Sequence, residues 1–124
     1  MTLSTGWLVD ELVLRVPELR ELYAEHLQDN GEILPHVLFW DFTQSIVSAY
    51  QGELSPPLDW RTAIEFIESA FGVVDEYAQG VISASFLSSL PYPGEPGAGI
   101  IEQLGPVLRE ELAIARGPSS ESAS

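Results

Sequence analysis

The sequence predicts an all-α protein, an irregular bundle of about six short helices with a buried central helix at about residues 74–90. Three observations lead to that class. Apolar residues recur at helical spacing almost everywhere, and no stretch alternates for long enough to make a strand. Proline and glycine interrupt the pattern at short intervals, where helices start or stop. A chain of 124 residues with 45% hydrophobic content is also long enough to bury a core as one domain without a disulfide or a metal.

The first helix is expected from about Thr5 to Val16, with Trp7, Leu8 and Leu12 in its apolar stripe. Pro17 and Glu18 suit the first turn of a second helix, which carries Leu19, Leu22, Tyr23, His26 and Leu27 on one side. Asp29-Asn30-Gly31 ends it. Pro35 opens a third helix that runs to about Gln51, where Gly52 closes it. Ser55-Pro56-Pro57 leads into the fourth, whose pattern is the cleanest in the chain. Trp60, Ala63, Ile64, Phe66, Ile67, Ala70 and Phe71 cover its inner face, and Arg61, Thr62, Glu65, Glu68 and Ser69 its outer one. After Gly72 comes the central helix, apolar or small nearly all round, with a narrow polar strip of Glu76, Gln79 and Ser83. Pro91 to Gly99 is a loop by composition. A last helical region restarts at Gly105-Pro106, with Val107, Leu108, Leu112 and Ile114 as its apolar contacts. Residues 1–116 thus form a single all-α domain, and 117–124 are expected to be a disordered polar tail.

Charge narrows the function classes. Nineteen acidic residues face five basic ones, all arginine, for a net charge of −14. Such a field repels nucleic-acid phosphates and anionic lipid and attracts basic surfaces. The expectation is therefore no nucleic acid, no membrane and a basic protein partner, although acidity can also serve solubility alone. There is no cysteine, hence no disulfide, thiolate zinc site or thiol chemistry. No basic residue precedes Arg15, so no signal peptide is expected, and no apolar run is long enough to span a bilayer. A cytoplasmic location follows as an expectation.

The candidate site residues lie between Glu18 and Asp41. Glu18, Glu21, Glu25 and Asp29 recur at i, i+3, i+7 and i+11, and fall within about 80° of the second helix, while Arg20 lies far round it. Glu32 extends the row past the helix end. It reads either as a solvated face or as a landing surface for a lysine- or arginine-rich partner. His36 and Trp40, four apart, share a flank of the third helix and either pack at the core edge or present an aromatic anchor. His36 and Asp41 point about 140° apart, which removes them as an acid–base pair. His26 points inward and is expected at the core edge with one nitrogen satisfied. His26, His36, Glu25, Asp29 and Glu32 include permissible metal ligands, but their spacing matches no ligand pattern, so no metal or other cofactor is expected. Ser83, Ser85, Ser88 and Ser89 lie in no nucleophile motif, and no catalytic residue is assigned.

Three segments carry a resemblance: PELRELYAEHLQDNGEILPH (Pro17–His36), SASFLSSL (Ser83–Leu90) and LGPVLREEL (Leu104–Leu112). Together they resemble a family of small uncharacterised bacterial proteins, a domain of unknown function. Its features are a Pro-Glu-Leu helix opening, a Leu-Pro-His step, a Ser-Phe-Leu segment and a Leu-Gly-Pro helix start. The likeness spans about residues 5–116 and brings no catalytic assignment. It implies a stand-alone bacterial cytoplasmic domain, similar in size and acidity to immunity proteins that guard against toxins. The expected function is non-enzymatic binding, as an immunity protein or inhibitor covering a basic toxin through Glu18, Glu21, Glu25, Asp29, Glu32, His36, Trp40 and Asp41. The alternatives are a small metal-dependent hydrolase using carboxylates and histidines, and a structural or regulatory subunit of a homo-oligomer.

Overall fold

A computed structural model describes residues 2–53 and 58–116. The Ser55-Pro56-Pro57 lead-in and the 117–124 tail lie outside them. Helices α1 (Thr5–Arg15), α2 (Arg20–Asn30), α3 (Pro35–Tyr50) and α4 (Trp60–Phe71) follow the expected boundaries closely. Their ends show why. Ser4 Oγ caps α1 by accepting from the Trp7 N–H at 3.2 Å. Pro17–Leu19 forms one tight 3₁₀ turn that feeds α2. Gly31, at φ 74°, closes α2 in the left-handed conformation, and its N–H donates to Leu27 O at 2.8 Å.

The expected central helix is α5, Glu76–Val81, continued by Ile82–Leu87. Over that continuation the hydrogen bonding widens to i→i+5, as in the Ser88 N–H donating to Ser83 O at 3.2 Å. Val81, Ile82, Phe86 and Leu87 are fully buried against α3 and α6. The exposed strip, however, is Glu76, Tyr77, Gly80, Ala84 and Ser88, whereas Gln79 and Ser83 are half-buried. Gln79 turns inward because its Nε2 donates to Phe71 O at 2.9 Å. Val74 belongs not to α5 but to an isolated parallel bridge with Leu3, which ties the N-terminus to the start of α5. Leu3 N–H donates to Val73 O at 2.9 Å, and Asp75 N–H to Leu3 O at 2.8 Å.

A 3₁₀ segment, Ala98–Gln103, precedes α6 (Pro106–Arg116). Leu108 and Leu112 are buried as expected, but Val107 is 41% and Ile114 66% exposed. An 11-residue helix packed on one side has room for only a narrow apolar stripe. Glu68 also departs from its expected outer position. Its carboxylate accepts from the Val107 and Leu108 N–H groups at 2.9 and 3.0 Å, capping α6 from α4. The core is built from α1, α3, α4, α5 and α6, with Leu8, Leu12, Phe39, Phe42, Ile67 and Phe86 among its largest fully buried side chains, and α2 packs on it through the half-buried Leu22 and Tyr23.

Candidate functional site

The acidic row lies along α2 and its approach. Glu18 is in the 3₁₀ turn, Glu21, Glu25 and Asp29 follow along the helix, and Glu32 sits in the corner beyond it; all are exposed. Among the described residues the one ion pair is Arg15 with Glu11, at 3.3 Å, so no cation neutralises the row. The opposite side of α2 explains why the row faces out. Leu19 is fully buried, and His26 is 4% exposed. The Leu34 N–H donates to His26 Nε2 at 2.8 Å, which requires a free lone pair on that nitrogen. Asn30 Nδ2 donates to His26 O at 3.0 Å and lies 3.4 Å from Nδ1. His26 therefore latches the α2–α3 corner, as its inward spacing implied.

His36 meets α5 from the first turn of α3, and Trp40 follows one turn along the helix. His36 Nδ1 lies 2.7 Å from Ser85 Oγ, and the ring meets Tyr77 edge-on at 6.1 Å. Val37 (48%), Trp40 (52%) and Tyr77 (57%) are all half-exposed. Asp41 is half-buried and shares no hydrogen bond with His36. Ser85 is 6% exposed, within the widened part of α5. A hydroxyl so enclosed is badly placed to attack a substrate, and among the described residues no carboxylate hydrogen-bonds the imidazole. The pair instead ties His36 to the widened part of α5, with its ring edge-on to Tyr77. Spacing along the chain could not reveal this partner, since 49 residues separate the two.

Neither of two surface cavities is lined by a residue of the acidic row, His36, Trp40 or Asp41. The larger, about 450 Å³, lies between the second half of α3 and the Leu90–Pro96 loop. Among the described residues no three His, Asp or Glu side chains converge as a metal site would require.

The family model described as Domain of unknown function (DUF7674) matches residues 9–115. The chain belongs to this family. No curated protein and no solved structure matches it. In this DUF7674 domain, the segments that carried the resemblance fall largely at joints of the fold. Pro17 and Leu19 make the turn into α2; Leu34 meets His26; Leu104 is buried beside the capped start of α6. His36 of the Leu-Pro-His step and Ser85 of the Ser-Phe-Leu segment meet each other. No described helix of this DUF7674 domain is long and apolar enough to cross a membrane.

Proposed function

We propose that this domain is a non-enzymatic binding protein, an immunity protein or inhibitor that neutralises a basic bacterial toxin in the cytoplasm. The observation that carries the reading is the exposed row Glu18, Glu21, Glu25, Asp29 and Glu32, with no compensating cation among the described residues. Beyond the corner that follows Glu32, His36 and Trp40 supply an aromatic surface with Tyr77. Aromatic anchors and complementary charge are what a tight, electrostatically steered interface needs.

Charge reversal tests the reading directly. The basic protein that co-purifies from the native host is mixed with wild type and with Glu21→Lys/Glu25→Lys in stopped flow. Association slows by about tenfold or more at low salt, and the gap closes as salt rises. An unchanged rate and salt dependence would sink the proposal.

A further inference from the structure

The larger cavity, of about 450 Å³, falls in the roughly 300–1,000 Å³ range of small-molecule sites. One wall is the second half of α3, and the other is the proline- and glycine-rich loop that follows α5. Two glycines let the loop sit close on α3. A Cβ on Gly97 would lie 3.0 Å from Val47 Cγ1 and 3.2 Å from Gln51 Cδ, and one on Gly99 would collide with the Tyr50 hydroxyl. Tyr92 lines the cavity from the loop side, and its ring is backed by Arg116 at the end of α6. Arg116 donates to Leu90 O and Pro91 O and lays its guanidinium over the ring, 3.7 Å from the centroid. Arg116 itself does not line the cavity, so a ligand there meets the side of the ring that Arg116 leaves uncovered.

The other lining groups are mostly neutral and polar. Gln44, Ser48 and Gln51 line the cavity from α3, and Ser89 from across it. Among the described residues none of these four side chains hydrogen-bonds within the protein, whereas Ser88 Oγ donates to Ser83 O at 3.0 Å. Together they offer both donors and acceptors without charge. An anion finds no counter-charge, since no lysine, arginine or histidine is among the described lining residues. A cation finds only Glu95, whose Oε1 already accepts from the Tyr92 N–H at 2.7 Å. A wholly apolar ligand would take water from the amides and hydroxyls and replace none of its bonds. A neutral ring bearing many hydroxyls meets every condition. Its hydroxyls exchange hydrogen bonds with the amides and serines, and its C–H face lies on the electron-rich face of an aromatic ring.

We propose that this cavity binds a sugar, one pyranose ring stacked on Tyr92 and hydrogen-bonded by Gln44, Ser48, Gln51 and Ser89. No residue of the acidic row lines it, so the sugar site goes beyond the reading of a basic protein partner and does not depend on it.

The test uses the full chain, isotope-labelled for two-dimensional NMR. It is titrated with glucose, galactose, mannose and N-acetylglucosamine, each free and as its methyl glycoside. The expected result is saturable shifts at the Gln44, Ser48, Ser89 and Tyr92 amides with at least one sugar, at roughly millimolar concentration. Equal binding of sugar and glycoside marks the ligand as a unit of a larger glycan; binding of the free form alone marks it as a free sugar. Cyclohexanol, a ring of the same size with one hydroxyl, should bind several-fold more weakly. Tyr92→Phe should bind as wild type does, and Tyr92→Ala should lose binding. Gln44→Ala, at an exposed helical position that tolerates alanine, should weaken it several-fold. The spectra themselves report that each variant is folded. Absence of saturable shifts with every sugar, equal binding of cyclohexanol, or undiminished binding by Tyr92→Ala overturns the proposal. Glu21→Lys/Glu25→Lys should leave these shifts in place, so the cavity and the acidic row stand or fall separately.

Discussion

Asp59 shows how much one side chain does in this fold. Its Oδ1 accepts from the Thr62 N–H at 3.1 Å and its Oδ2 from Thr62 Oγ1 at 2.7 Å, capping α4. The hydroxyl bond, then the backbone bond, with a smaller contribution from Arg61, hold its carboxyl below the ordinary aspartate range. Because the folded value is depressed, its stabilisation is complete above the unfolded value and is lost as pH falls through the folded one. Asp59→Ala should therefore cost about 0.5–2 kcal/mol in urea unfolding at neutral pH, and less in acid as the wild-type carboxyl protonates. Asp59→Asn, which caps without titrating, should unfold with a flatter dependence on acid. An alanine variant as stable as wild type at neutral pH would remove the cap from the account. Two residues mark how far the sequence could be read at this scale. His26 was legible, because helical spacing alone turns it inward between Leu19 and Leu22. Ser85 was not, because its meeting with His36 depends on how α3 and α5 pack.

At the scale of elements, α6 depends on a neighbour. Glu68 of α4 satisfies two of its free N–H groups, and Gly105 makes room, since a Cβ there would lie 2.4 Å from the Glu68 Cδ. Glu68→Ala should cost about 0.5–2 kcal/mol, as the loss of a helix cap does. Gly105→Ala should cost a similar amount by displacing the same carboxylate. Combined, the two should cost clearly less than their sum, because either one removes the same cap. Additive losses in chemical denaturation would show that they act through different contacts. The sequence placed Glu68 on the solvent face because periodicity describes a helix against an average core and not against one particular neighbour. The same limit hid the widening at Ile82–Leu87, since a fixed 100° per residue cannot register a change of hydrogen-bond spacing. Helix starts and stops at Pro17, Gly31, Pro35 and Gly52 were legible because their backbone chemistry is local.

For the whole molecule, the net charge of −14 sets stability and association against each other. Glu18, in the turn that feeds α2, lies three before Glu21, and Glu21, Glu25 and Asp29 are spaced by four, so neighbours along the row repel by a few tenths of a kcal/mol each. Neutralising the middle of the row with Glu21→Gln/Glu25→Gln should thus raise the unfolding free energy at low ionic strength, by up to about 1 kcal/mol. The gain should fade toward about 1 M salt, where the screening length falls to about 3 Å. A row that serves only solubility would show this gain with no loss of binding rate. A landing surface for a basic protein would show the gain together with slower association, both effects shrinking as salt is added. Thermal unfolding and stopped-flow association of the same double variant, each measured across salt, separate the two cases. Opposite signs would mean that α2 carries charges that cost stability and speed encounter with the partner.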